Sequence, residues 1–133
     1  MRAIVLLLTA FLALALPALA ADDAAQSVIR SQEQAFGRDD AATAYSYAAP
    51  AIQNMFPQAD IFLNMVQRSY APVYRHKSFE FGEARAMDGK IAQVVHIVDA
   101  DGVPWEALYT LELEPDGNFK ISGCVLRKTG QGV

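Results

Sequence analysis

Cysteine is all but missing: Cys124 is the single one in 133 residues. No disulfide within the chain can brace the fold, so packing must hold it. Cys124 is expected to be a small buried residue in the last strand, with an intermolecular disulfide or a reactive thiol as sharper alternatives. Histidine is scarce as well. His76 and His96 are the only two, far apart in sequence, and with no second cysteine they cannot make a zinc site of any usual spacing. Asp99-Ala100-Asp101-Gly102 begins like a calcium loop, but Val103-Pro104-Trp105 stands where further oxygen ligands would be needed. No metal and no cofactor is expected. Nor does any serine occupy a Gly-x-Ser-x-Gly elbow, since Ser27, Ser31 and Ser46 fall on predicted helices.

A dense basic stripe is also lacking, and the 11 Lys and Arg are outnumbered by 15 Asp and Glu. Such a chain cannot supply the phosphate neutralisation on which nucleic-acid binding mostly depends. The one long apolar run is short for a membrane span. It extends from Ile4 to Leu16 behind Arg2, is broken by Pro17, and ends in the small residues Ala18-Leu19-Ala20. These are the three parts of a secretory signal peptide, with acidic Asp22-Asp23 following and cleavage expected after Ala20. Residues 1–20 are thus read as a leader and 21–133 as a single domain, periplasmic or secreted, with no stable membrane anchor once cleaved. Arg2 leaves with the leader. The remaining 10 basic and 15 acidic residues give a net charge of −5.

What the chain does have is an ordered division of patterns. Up to Pro72 the apolar spacing is helical. Asp22 or Asp23 can cap a first helix to about Phe36, with Val28, Ile29, Gln32 and Phe36 on one stripe and Gly37 as its stop. Asp39 or Asp40 caps a second, carrying Ala42, Tyr45 and Ala49. Pro50 to Phe56 gives one or two further turns, and a helix from about Asp60 presents Ile61, Phe62, Met65 and Val66 before Pro72 closes the helical half.

Beyond Pro72 three Asp-Gly pairs, at 88–89, 101–102 and 116–117, cut the chain into four strand-like pieces. Tight I′ turns need positive φ at both central residues, which Asp-Gly tolerates, so the sheet reads as an antiparallel meander. The first strand, Tyr74 to Met87, has mixed faces and is expected to bend around Gly82. Lys90 to Val98 is apolar on both sides. The third strand alternates most clearly, with Trp105, Ala107, Tyr109, Leu111 and Leu113 inward. Strict alternation in the last puts Phe119, Ile121 and Val125 on one side and Ser122, Cys124 and Leu126 on the other. Val94, His96, Leu108 and Leu126 then make an outer face too apolar for water alone, which a sheet-to-sheet homodimer would cover.

Several words of the sequence resemble a known family. They are Ala35-Phe36-Gly37-Arg38-Asp39-Asp40 with Ala44-Tyr45, Ala49-Pro50-Ala51-Ile52-Gln53, Phe62 with Met65-Val66, Tyr70-Ala71-Pro72-Val73, Asp101-Gly102 before Trp105 and Tyr109, and Ile121-Ser122-Gly123-Cys124. Together they cover nearly the whole mature chain and resemble the bacterial family called domain of unknown function 4864, within the nuclear transport factor 2-like superfamily. The resemblance implies an α+β fold, N-terminal helices packed in the concave face of a strongly bent four-stranded antiparallel meander. It implies no activity, because that superfamily includes isomerases, dehydratases, carrier-type binders and dimerisation modules.

Three functions therefore stay open. The first is an exported protein binding a small hydrophobic molecule in a cone pocket, for which Tyr45, Phe56, Phe62, Tyr70, Phe79, Trp105 and Tyr109 supply the aromatic lining. The second is a homodimeric interaction module using the face of Val94, His96, Leu108 and Leu126. The third is an isomerase- or dehydratase-like enzyme, whose acid or base would come from His96, Asp60 or Tyr45. His76, between Arg75 and Lys77, is expected at the surface with its protonated form disfavoured.

Overall fold

Five helices precede four strands in a computed structural model that describes residues 18–130. The helices are α1 Ala18–Gly37, α2 Ala41–Ser46, α3 Pro50–Met55, α4 Ala59–Ser69 and α5 Ala71–Tyr74; the strands are β1 His76–Met87, β2 Lys90–Asp99, β3 Pro104–Leu113 and β4 Phe119–Lys128. The sheet is antiparallel in the order β1-β2-β3-β4, a simple meander. Its inner face carries the helices, so the protein is α+β.

Local chemistry accounts for most element ends. Helix α1 includes Ala18 to Ala21, upstream of the expected Asp22 or Asp23 cap, because alanine sustains a helix better than any other residue. After Gly37 it is Asp39 that turns left-handed, at φ 57°, and its carboxylate accepts from Arg75 Nη2 at 2.9 Å and from the Tyr74 hydroxyl. Those bonds hold a conformation that a glycine would otherwise be needed for. Asp40 caps α2 by accepting from Thr43 N at 3.1 Å. Pro72 opens the short α5 instead of closing the helical half, since proline suits a first helical turn.

The hairpins form, but not by I′ turns. Gly102 and Gly117 have φ of 83° and 87°, while none of the preceding aspartates is left-handed. The Asp99 carboxylate accepts from Asp101 N and Val103 N, and Gly102 N donates to Asp99 O at 3.0 Å. An Asx-braced turn ending in a left-handed glycine therefore replaces the tighter geometry.

Beyond a slip at the very start of β1, between His76 and Ser78, two irregularities shape the sheet. Between Phe81 and Ala84 the β1–β2 register slips, so the expected bend at Gly82 is a bulge. The second slip lies where Thr110 pairs with Gly123 but Leu111 pairs with Ile121, which leaves Ser122 as an extra residue. That extra residue flips the parity of everything after it. Cys124 and Leu126 consequently join Phe119 and Ile121 on the inner face against the core, and Val125 turns outward, 66% exposed. Leu126 is not part of the outer apolar face, and Val125 takes its place.

The core lies between the inner face and the helices. Ile29, Ala35 and Phe36 of α1, Phe62 and Val66 of α4, and Ile91, Val95, Ile97, Ala107 and Leu111 of the sheet are buried together. Ile61, expected in the α4 stripe, is 43% exposed, with Phe62 and Val66 facing in. The link from α2 to α3 is sewn to the edge strand, with Ile121 N donating to Tyr47 O and Ala49 N to Ile121 O, both at 2.8 Å. This seam fixes α3 opposite the β4 bulge.

Candidate cavity between the helices and the sheet

Helix packing against the sheet leaves a space of about 350 Å³ unfilled. Gln32 and Phe36 of α1 form one wall, Ile52, Met55 and Phe56 at α3 another, and Phe62, Met65 and Val66 of α4 the roof. Tyr70 and Val73 close the end, while Tyr109 and the bulged stretch from Ile121 to Val125 make the floor. Met55, 72% exposed, stands where the space meets solvent. The lining is dominated by apolar groups with a few polar atoms, the usual character of a small-molecule site, and the size is at the lower end for one.

Helical spacing explains the roof and wall, because one turn separates Phe62 from Val66 and Gln32 from Phe36. Rings meet around Phe62, whose centroid lies 6.1 Å from Phe36, 5.6 Å from Tyr45 and 6.4 Å from Phe56. Gln32, 4% exposed, donates from Nε2 to Ala44 O at 3.2 Å.

Of the seven aromatics anticipated for a pocket, Phe56, Phe62, Tyr70 and Tyr109 line this space. Tyr45 backs Phe62 and sends its hydroxyl to Phe56 O at 2.6 Å and Gln53 O at 3.2 Å, while Gln53 Nε2 donates to Tyr45 O at 3.1 Å. It latches α3 instead of lining the cavity. Phe79 lies elsewhere on the inner face under the Arg30 guanidinium, 5.2 Å above its ring. Trp105 lies at the hairpin end, its Nε1 donating to Asp99 Oδ2 at 2.9 Å, a bond that with Val103 N holds the Asp99 carboxyl below its usual range.

The floor is uncharged. Tyr109 pairs with Cys124 across β3 and β4. Burial, with Cys124 and Glu33 adding to it, holds the Tyr109 hydroxyl well above its usual pKa, and burial then Cys124 raise that of Tyr70. Burial pushes the Cys124 thiol up to about 12 despite the opposing effect of the Tyr109 hydroxyl. At neutral pH Cys124 is therefore a thiol and not a nucleophilic thiolate.

The anticipated acid and base candidates do not converge. His96 is exposed on the outer face, in register between Glu80 and Glu106. It lies close over Gly82, where an added Cβ would come 2.6 Å from its Nε2. Asp60 is exposed in the first turn of α4. None of His96, Asp60 and Tyr45 lines the cavity. Among the described residues no group of three His, Cys, Asp or Glu side chains could hold a metal ion.

His76 corrects the sequence reading. Its side chain is only 14% exposed, with Nε2 2.6 Å from Glu33 Oε2 and Nδ1 2.9 Å from Pro72 O. Both ring nitrogens face oxygen atoms. Arg75 turns away to Phe36 O and Asp39, and Glu33 is shared with Arg30 at 2.6 Å. No local pattern announced this network, because its members lie 43 positions apart.

A helical layer roofing one face of an open antiparallel meander, with an apolar hollow between them, defines an α+β protein. The chain belongs to the family described as Domain of unknown function (DUF4864), whose model matches residues 18–132. No curated protein matches it.

Proposed function

We propose that this chain is an exported binding protein that encloses a small hydrophobic molecule between its helices and sheet. The carrying observation is the apolar cleft of about 350 Å³ itself, because a concave, mainly apolar space of that size with a few polar groups is the form that small-molecule sites take. The order of helices then bent meander supports placing it among the nuclear transport factor 2-like cones. Export rests on the leader pattern of residues 1–20, of which 1–17 lie outside the described residues. Cleavage after Ala20 keeps Ala25, Ile29, Gln32, Ala35 and Phe36, the α1 residues buried in the core. Native mass spectrometry of gently purified protein is expected to show a bound small molecule, or an adduct when a hydrophobic panel is added. A clean apo mass with no adduct from any member overturns the reading.

A second reading has its own support. Val94, Leu108 and Val125 lie side by side across β2, β3 and β4 on the face opposite the helices. A second copy turned about an axis parallel to the strands, between β2 and β3, would lay this band on itself. The same rotation sets Glu80 opposite Arg127, His96 opposite Glu106 and Lys90 opposite Glu112. Such self-complementarity is what an isologous interface requires. Leu108→Lys is expected to convert the dimer to a folded monomer in solution, read by light scattering with circular dichroism. A mass unchanged by the substitution removes the dimer from consideration.

A further inference from the structure

The chemistry of the cavity narrows what it can hold, on the reading that it is a binding site. No Asp, Glu, Lys, Arg or His is among its lining residues. An ionised group drawn inside would meet no counter-charge, at a cost of several kcal/mol. An amphiphile could avoid that by leaving its head at the mouth and sending only a tail inward. The floor opposes this arrangement.

Ser122 Oγ is used on Thr110 O at 3.1 Å, and Gln32 Nε2 on Ala44 O. Tyr70, Tyr109 and Cys124 are lining residues, and neither tyrosine hydroxyl donates to a protein acceptor among the described residues. Tyr109 is 2% exposed, and the residue paired with it across β3 and β4 is Cys124, whose thiol is a weak partner. A hydrocarbon tail pressed against these groups would strip their water and return nothing, a loss of about 1–3 kcal/mol. An oxygen that accepts from them turns the same desolvation into bonding.

We propose that the cavity takes an uncharged, mostly apolar molecule with one hydrogen-bond-accepting oxygen, as in a ketone, aldehyde or ester, seated oxygen-first against the hydroxyls of Tyr70 and Tyr109. Its carbon skeleton lies along Phe36, Phe62 and Met65 and leaves past Met55. The ring faces and thioethers there are adaptable apolar surface, suited to skeletons of varied shape. Both hydroxyls keep their protons across the physiological range, so the site donates and does not discriminate by charge switching.

Displacement of Nile red from the leader-free chain by compounds with twelve-carbon chains tests this. Methyl decyl ketone is expected to bind at least about tenfold more tightly than dodecanoate or dodecyltrimethylammonium. Tyr70→Phe should weaken the ketone about threefold to tenfold, the worth of one neutral hydrogen bond, and leave dodecane unchanged. Tyr109→Phe is the second variant, and unchanged thermal melting of either shows that it is folded. Dodecanoate binding more tightly than the ketone overturns the uncharged class. Equal binding of ketone and dodecane, or insensitivity of the ketone to both substitutions, overturns the oxygen-first seating and leaves the carrier reading standing. Failure of Nile red and all four compounds to bind overturns the carrier reading, and this inference with it.

Discussion

Phe62→Ala is expected to lower the unfolding free energy by about 3 kcal/mol, near the low end for truncating a buried aromatic ring. The ring is 4% exposed and stands within 6.4 Å, centroid to centroid, of Phe36, Tyr45 and Phe56. Removing it costs the transfer free energy of the ring, three offset aromatic contacts and the collapse that α4 cannot make. The value falls at the low end because one side of the ring already faces the cavity and loses no packing partner there. Phe62→Leu, which keeps most of the volume, should cost about 1 kcal/mol. With total stabilities of roughly 5–15 kcal/mol for domains of this size, the alanine variant forfeits a large part of the whole. Chemical denaturation with an unchanged m-value reads the difference. A loss below 1 kcal/mol for the alanine variant would mean that the ring cluster does not hold the roof to the helices beneath it.

The second large effect runs against hydrophobic intuition. Gln93→Met places an apolar side chain of similar length at a position 0% exposed on the inner sheet face, and it is expected to destabilise by about 2–3 kcal/mol. Gln93 Nε2 lies 2.7 Å from Val94 O, 3.1 Å from Gly82 O and 3.3 Å from Glu83 O, and its Oε1 accepts from Gln26 Nε2 at 3.2 Å. Gly82 and Glu83 sit in the β1 bulge, where the ladder register slips. Methionine removes the donor and leaves those carbonyls in place, so the penalty is that of stranded acceptors. Hydrogen exchange near the bulge should accelerate in the variant. Gln26→Met added to Gln93→Met should cost little more, because the bond the two residues share is already gone. Neutral behaviour of Gln93→Met would show that the bulge carbonyls find other partners.

What could be read ahead of the structure was what neighbouring residues decide among themselves. The Asp-Gly pairs placed three turns and hence the meander, and the stripes through Ile29, Phe36, Phe62 and Val66 placed two helices against it. The bend at Gly82 was legible because mixed faces and a glycine coincide there. Parity in β4 was not, since alternation assumes that no residue is extra and nothing local marks Ser122 as one. Gln93 and the Glu33–His76 pair escaped for a different reason. Each is a polar group made tolerable by partners far along the chain, and only the fold supplies those partners. For the cavity, aromatic content nominated seven residues, of which four line the space and three lie elsewhere, because counting rings does not tell lining from backing. Phe36 and Met65 were on the right faces all along, but a hollow is a property of how faces meet.

The short α3 has a mechanical consequence for everything that passes its flank. It buries none of its own side chains, lies between Pro50 and Pro57, and is fastened by the Tyr45 hydroxyl and the seam to β4. Displacing it breaks a few hydrogen bonds and wets a little apolar surface, whereas opening any other wall separates strands or tears a helix from the core. On the carrier reading, a molecule passing between solvent and the interior would therefore take this flank. The sheet need not deform when α3 shifts.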